Sequence, residues 1–333
     1  MDAAGQRAGA RPAPPRRQVR TERISFRGGG GERLVGLLRL PDRAPERPPV
    51  LVQGPGWLGL ADAPHYARLH EDLCARGYAV LVFDHRGFGA SEGDPGWILP
   101  EQQIADTRVA CDLAESLPQV DGTRLGLLGV GGTGAGNAIA AACRDPRPRC
   151  VIAFHVVADG ADWLRRMRTP EQWAAFQERV AADRRARDAG GPGELVDPRE
   201  ELMVQSEDRR GSAAKRSTDA RLAPRFHLAS AEALLRYRPL DEITPERPRA
   251  LLVVAVIDDP VTPEDHAREA YARSGPPKRL VTIEGTTHYR AQDDCRAELA
   301  DEIASWCDLH LAADAGSAAG AEERVIRARS TVA

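Results

Sequence analysis

Lysine is almost absent: Lys215 and Lys278 are the only two in 333 residues, and arginine carries the rest of the side-chain positive charge. That bias reads as coding preference more than chemistry. An excess of either charge is missing too. The 46 basic and 49 acidic residues leave a formal net charge of −3, so nothing calls for nucleic acid or an anionic membrane as partner. No apolar run is long enough to cross a bilayer, and Arg16-Arg17 is not followed by the apolar core of a secretory signal. A cytoplasmic protein is the expectation. The six cysteines (Cys74, Cys111, Cys143, Cys150, Cys295, Cys307) form no C-x-x-C pair and no zinc spacing. They are expected to be buried reduced thiols, with no metal site and no cofactor.

What is present is a globular chain, 42% hydrophobic. Short continuous apolar runs alternate with helical stretches. Val50-Leu51-Val52, Tyr78 to Phe83, Leu125 to Val130, Val151 to Val157, Ala250 to Val256 and Leu280 to Glu284 read as strands. Runs of that kind, separated by helices, predict a mostly parallel sheet covered on both faces. Ile24–Phe26 and Leu34–Leu40 read as a hairpin through Gly28 to Gly31. Residues 159–245 are charged and helical and break the rhythm, which predicts an inserted helical cap. The core is then 21–158 and 246–311. Residues 1–20, rich in Arg, Ala, Gly and Pro, read as a disordered arm, and 312–333 as a flexible tail.

One stretch organises the rest. Leu125 to Val130 ends at Gly131-Gly132-Thr133-Gly134, and an Ala-rich helix follows. A strand, a tight turn and a helix point backbone N–H groups at a ligand. Gly129, Gly131 and Gly134 spell the dinucleotide pattern G-x-G-x-x-G, with Asp159 near the spacing of a ribose-binding acid. That pattern normally opens its domain, whereas here more than a hundred residues precede it. The other reading is the strained nucleophile elbow, G-x-S-x-G.

Several further motifs favour the elbow. Gly77 to Gly93 (GYAVLVFDHRGFGASEG), Val120 to Gly126, Asp259-Pro260-Val261-Thr262-Pro263 and Gly285-Thr286-Thr287-His288-Tyr289 resemble the α/β-hydrolase fold. The branch they resemble holds dienelactone-hydrolase-like and X-Pro-peptidase-like proteins. The resemblance covers about residues 30–311 and is weak in the cap. It implies an elbow, then a triad acid at Asp259, then a triad histidine at His288, the order this fold requires. Asp258 is the alternative acid.

The departures are informative. The nucleophile position falls on Gly131, which keeps the turn and deletes the hydroxyl. An offset register would put Thr133 there instead. By the resemblance, Gly132 N–H supplies one oxyanion donor. The other comes from the loop Gln53-Gly54-Pro55-Gly56-Trp57, where Pro55 has no N–H, so the donor shifts to Gly56 or Trp57 or is lost. His85 and Arg86 read as braces of their loop. His155, at a strand end, and Trp163, in the cap, are candidate substrate-facing residues. Three functions stay open. The favoured one is His288/Asp259 general acid–base chemistry, without a serine nucleophile, on a small ester, lactone, thioester or β-dicarbonyl compound. The others are a covalent esterase using Thr133 and a non-catalytic binder of a ligand or partner. A small-molecule substrate is expected, and a homodimer stays open.

Overall fold

A computed structural model describes residues 19–42, 47–203, 219–313 and 320–328. Most of the expected N-terminal arm lies outside the described residues, as do cap residues 204–218. No helix among the described residues is long and apolar enough to cross a membrane.

Nine strands form one sheet. They are β1 (Arg20–Arg27), β2 (Arg33–Leu40), β3 (Pro49–Gln53), β4 (Ala79–Phe83), β5 (Asp121–Val130), β6 (Cys150–Phe154), β9 (Leu251–Val256), β10 (Lys278–Glu284) and β11 (Ala321–Arg327). Two short strands, β7 (Leu195–Val196) and β8 (Phe226–His227), pair separately. The main sheet runs in the order β1-β2-β4-β3-β5-β6-β9-β10-β11. The hairpin β1–β2 is antiparallel and β2 opposes β4, while every pairing from β4 to β11 is parallel. Val50–Val52 and Leu125–Leu127 pair directly, as the sequence predicts.

The alternation of strand residues sorts two cores. Val50 and Val52 face one apolar cluster with Ile104, Ala110, Ile139 and Ala267. Those neighbours come from helices α2 (Pro100–Ser116), α3 (Gly132–Arg144) and Glu264–Arg273. Leu51 faces the other cluster with Leu69, Leu73, Ile303 and Trp306, from α1 (Pro64–Ala75) and the helix Arg296–His310. Both faces of the central strands are dry, which is why they read as continuous apolar runs.

Two expectations need correction. The tail is not wholly flexible, because Ala321–Arg327 adds a parallel edge strand to β10. The cap is not purely helical. Besides α4 (Gly160–Arg166), α5 (Pro170–Asp188) and the helix Ser230–Leu235, it holds the β7–β8 pair and a π-turn at Pro198–Leu202. The insertion is tied over the C-terminal ends of the strands. Tyr237 Oη donates to Thr133 O at 3.1 Å and to Asn137 Oδ1 at 2.9 Å. Trp163 Nε1 donates to Val261 O at 2.8 Å.

Candidate active site

In the sheet order the chain switches direction between β3 and β5, and ligands of open α/β sheets bind beyond the strand ends at such a point. Gly131, His155, Asp259 and His288 all follow the C-terminal ends of parallel strands: β5, β6, β9 and β10.

Gly131 forms the apex between β5 and α3, with φ 82° and ψ 132°. That conformation lies near the region essentially reserved for glycine. A Cβ there would meet only Gly56 Cα, at 3.9 Å, so the space above the turn is open. The elbow turn that the sequence predicts at this position is therefore present. Gly132 is the first helical residue, and a first-turn N–H has no acceptor within its own helix. The helix dipole adds partial positive charge at the same place. Gly129 and Gly134 let strand and helix approach closely: a Cβ on Gly129 would fall 2.5 Å from Gly134 O.

Thr133 is fully buried, and its Oγ1 accepts the backbone N–H of Trp57 at 3.0 Å. It ties the β3 loop to the elbow. The Gly56 N–H is also engaged, by Tyr66 Oη at 3.2 Å. Neither N–H is free to serve as the second oxyanion donor, so of the outcomes the sequence left open, loss of that donor is the one that matches. The physical reason is close packing. Pro55 bridges to Val130, which seats the loop on the elbow and turns both N–H groups inward. Trp57 instead presents its ring, which meets the Trp163 ring edge-to-face at 5.4 Å. Trp163 is buried 3.9 Å from where a Gly132 Cβ would stand, so the two indoles wall the elbow.

The structure brings Asp259 and His288 together. His288 Nδ1 donates to Asp259 Oδ2 at 2.7 Å, and Asp258 takes no part in that bond. Asp259 Oδ1 accepts Val261 N at 2.7 Å and Thr262 N at 3.2 Å, and Thr262 Oγ1 donates to Oδ2 at 2.7 Å. Sequence reasoning missed Thr262, although its spacing three residues after an aspartate is a signal for such a turn. It also missed the contact of His155 with Asp259. His155 is not simply substrate-facing: it stands at φ 63°, with Nδ1 3.2 Å from the same Asp259 Oδ2 and its ring 4.0 Å from that of His288. Burial pushes the Asp259 carboxyl up, but the bonds from His155 and His288 outweigh it and hold it well below the usual carboxylate range.

His155, Asp259 and His288 place ligand-type atoms within 4.8 Å of one another, a spacing that a metal ion needs. The surroundings fit hydrogen bonds better. Metal-bound histidines donate their other ring N–H to an acceptor. His155 Nε2 is buried with no partner among the described residues, so a metal on both Nδ1 atoms would strand an N–H there. Donation of both Nδ1–H groups to Asp259 leaves only a lone pair unmet.

The remaining candidates act as supports. His85 Nε2 bonds Pro55 O at 3.0 Å and Arg86 Nε bonds Asp106 at 2.8 Å, so both brace loops. Asp159 caps α4, its Oδ1 accepting Asp162 N at 2.8 Å, which removes the acid of the dinucleotide reading.

A mostly parallel sheet of this order, an elbow after β5, and an acid and a histidine after β9 and β10 define an α/β hydrolase. Within that class the chain belongs to the X-Pro dipeptidyl-peptidase (S15) family, whose sequence profile matches residues 30–290. It is 31% identical over 128 residues to a 31.7 kDa Escherichia coli protein of the traX–finO intergenic region, covering 37% of this chain and 43% of that one. The match thus spans less than half of that relative's length. The thiohydrolase aneE of Aspergillus aculeatus is 27% identical over 226 residues, 64% of this chain and 70% of aneE. Among solved structures, the α/β hydrolase GrgF from Penicillium superposes with a TM-score of 0.73 at 22% identity, covering 88% of this chain and 99% of that one.

Proposed function

We propose that this protein hydrolyses a small activated acyl compound, an ester, lactone or thioester, with water rather than a side chain as nucleophile. One combination carries the reading: a joined His288–Asp259 pair after β10 and β9, and, at the same end of the sheet after β5, a turn whose apex, Gly131, has no side chain. With its Nδ1–H on an ionised carboxylate, neutral His288 carries no hydrogen on Nε2. That atom takes a proton from water as the water oxygen attacks the acyl carbon. The carbonyl electrons move to its oxygen, which faces Gly132 N–H and the α3 dipole. Collapse expels thiolate or alkoxide, and His288 returns the proton to it. The aneE likeness supports a thioester among these substrates. The same base could remove an acidic C–H of a β-dicarbonyl compound. The buried, engaged Thr133 hydroxyl argues against the covalent alternative.

The test is hydrolysis of p-nitrophenyl acetate and of an N-acetylcysteamine thioester by the parent and His288→Ala. General-base loss predicts a fall of about 10²–10⁴-fold in turnover. Equal rates in both proteins would sink the reading. Stoichiometric fluorophosphonate labelling of the parent at Thr133 would replace it with a covalent mechanism.

A further inference from the structure

Asp259 Oδ2 is shared. It takes His288 Nδ1 at 2.7 Å, Thr262 Oγ1 at 2.7 Å and His155 Nδ1 at 3.2 Å. We propose that His155 is a positioning residue for the site: it holds a second N–H on the carboxylate oxygen that orients His288, and thereby weakens the hold of His288 Nε2 on a proton. The proposal rests on the reading of His288 as the base.

The donor assignment follows from the acceptors. An ionised carboxylate has no hydrogen to give, and the Thr262 hydroxyl directs its hydrogen to Oδ2. Thr262 Oγ1 therefore offers only lone pairs to His288 Nδ1 at 3.3 Å and His155 Nδ1 at 3.4 Å. Both rings must carry hydrogen on Nδ1, and in the neutral rings Nε2 then has none. Only one of them meets solvent: the side chain of His288 is 12% exposed and that of His155 1%. A proton arriving from water or substrate goes to His288. The imidazolium so formed is held by Asp259, but an oxygen already accepting from His155 and Thr262 holds it less well. The His155 ring also lies tilted against it, 4.0 Å between centroids, so a positive charge on each ring would be repulsive. The backbone of His155 pays for this placement with a positive φ of 63°, unusual outside glycine and a mark of functional constraint.

The groups that face the pair are few. Asp259 and Thr262 come from the loop after β9, Tyr289 packs edge-on to His288, and Phe154 stacks on His155. On the cap side, His266 accepts from Ala158 N and bonds Asp162. Asp258, Glu284, Arg290 and Asp294 line a cleft that Asp259 also lines.

The experiment is a pH titration of full-length protein carrying ¹³Cε1-histidine, followed by NMR, in the parent, His155→Phe and His155→Gln. Peaks are assigned from the one each variant loses and from His288→Gln. His155→Phe keeps the ring and deletes the donor, so the His288 midpoint should rise by about 0.5–1 pH unit. His155→Gln, whose amide can still donate, should raise it less; this variant carries the comparison if the Phe variant does not fold. A purely structural role would change thermal stability and leave the midpoint alone. An unchanged or lowered His288 midpoint in a folded variant overturns the proposal. So does stoichiometric zinc in the purified parent, because both Nδ1 atoms would then be ligands. The titration needs no turnover: a catalytically idle protein with a raised midpoint would sink the proposed hydrolysis and leave this coupling standing.

Discussion

Gly131 concentrates the chemistry of the chain in one missing side chain. Its φ of 82° and ψ of 132° suit glycine, and the space above it is open. Gly131→Ser should therefore fit by volume and cost about 1–3 kcal/mol in backbone strain, read as a lower urea midpoint. The new hydroxyl would stand after β5, at the end of the sheet where His288 and Asp259 follow β10 and β9. Fluorophosphonate labelling of Gly131→Ser, absent from the parent, is the expected result; an unlabelled but folded variant would mean that His288 does not reach the apex. At this scale the sequence is legible where a role depends on local pattern. Gly131, Asp259 and His288 each sit in a recognisable loop; Gly131 turns at positive φ between β5 and α3, and Asp259 bonds His288. His155 was not legible as a partner of Asp259. Its contact exists because β6 lies beside β9 in the sheet and because one residue turns through positive φ, and neither fact is written in its neighbours.

The loop Gln53–Trp57 shows the same limit for an element. Its glycines and its place after a buried strand announce a functional loop, but not how far down it sits. Gly56 rests against the elbow backbone, so that a Cβ there would fall 2.3 Å from Gly131 O and 2.5 Å from Val130 O. Those atoms belong to the main chain and cannot rotate away. Gly56→Ala should lift the loop, break the Trp57–Thr133 bond and destabilise the fold by about 1–3 kcal/mol. A wild-type urea midpoint would show that the loop has slack. Strand β11 is the opposite case. Ala321–Arg327 is polar and largely exposed, with only Ile326 buried, so no hydrophobic pattern distinguishes it from a tail. It is a strand because the edge of β10 offers unpaired backbone groups, which are satisfied without regard to side-chain character. The central strands, whose pairing coincides with burial, were readable in their apolar middles, although β5 starts four residues earlier, at Asp121, and β6 ends at Phe154 and not at Val157.

For the whole molecule, acid is the condition that tests how site and fold are joined. Two buried histidines hold the β3 loop: His70 Nε2 bonds Gln53 Oε1 at 2.7 Å, and His85 Nε2 bonds Pro55 O at 3.0 Å. Burial lowers His85 to about 4 and takes His70 well below its ordinary value. Both are neutral donors in the fold. In the unfolded chain each would bind a proton near pH 6.5, so between about 6.5 and 4 the unfolded state holds more protons and stability falls as pH falls. For His85 alone the loss from pH 7 to 5 is about 2 kcal/mol. Asp259 acts lower down. Its depressed carboxyl contributes stability that is present above the ordinary carboxylate range and lost as pH drops below about 4. The expected urea-unfolding profile thus declines first through the histidine window and again through the carboxylate window. His85→Phe, even if less stable at pH 7, should show a shallower decline from pH 7 to 5, by about that 2 kcal/mol. A variant whose decline parallels the parent would show that His85 is not the group being titrated. Because the same histidine holds the loop seated on Gly131, the parent should also lose the Trp57–Thr133 contact near pH 4, where His85 takes its proton in the folded state. Trp57 fluorescence, isolated by comparison with Trp57→Phe, should change there before global unfolding does.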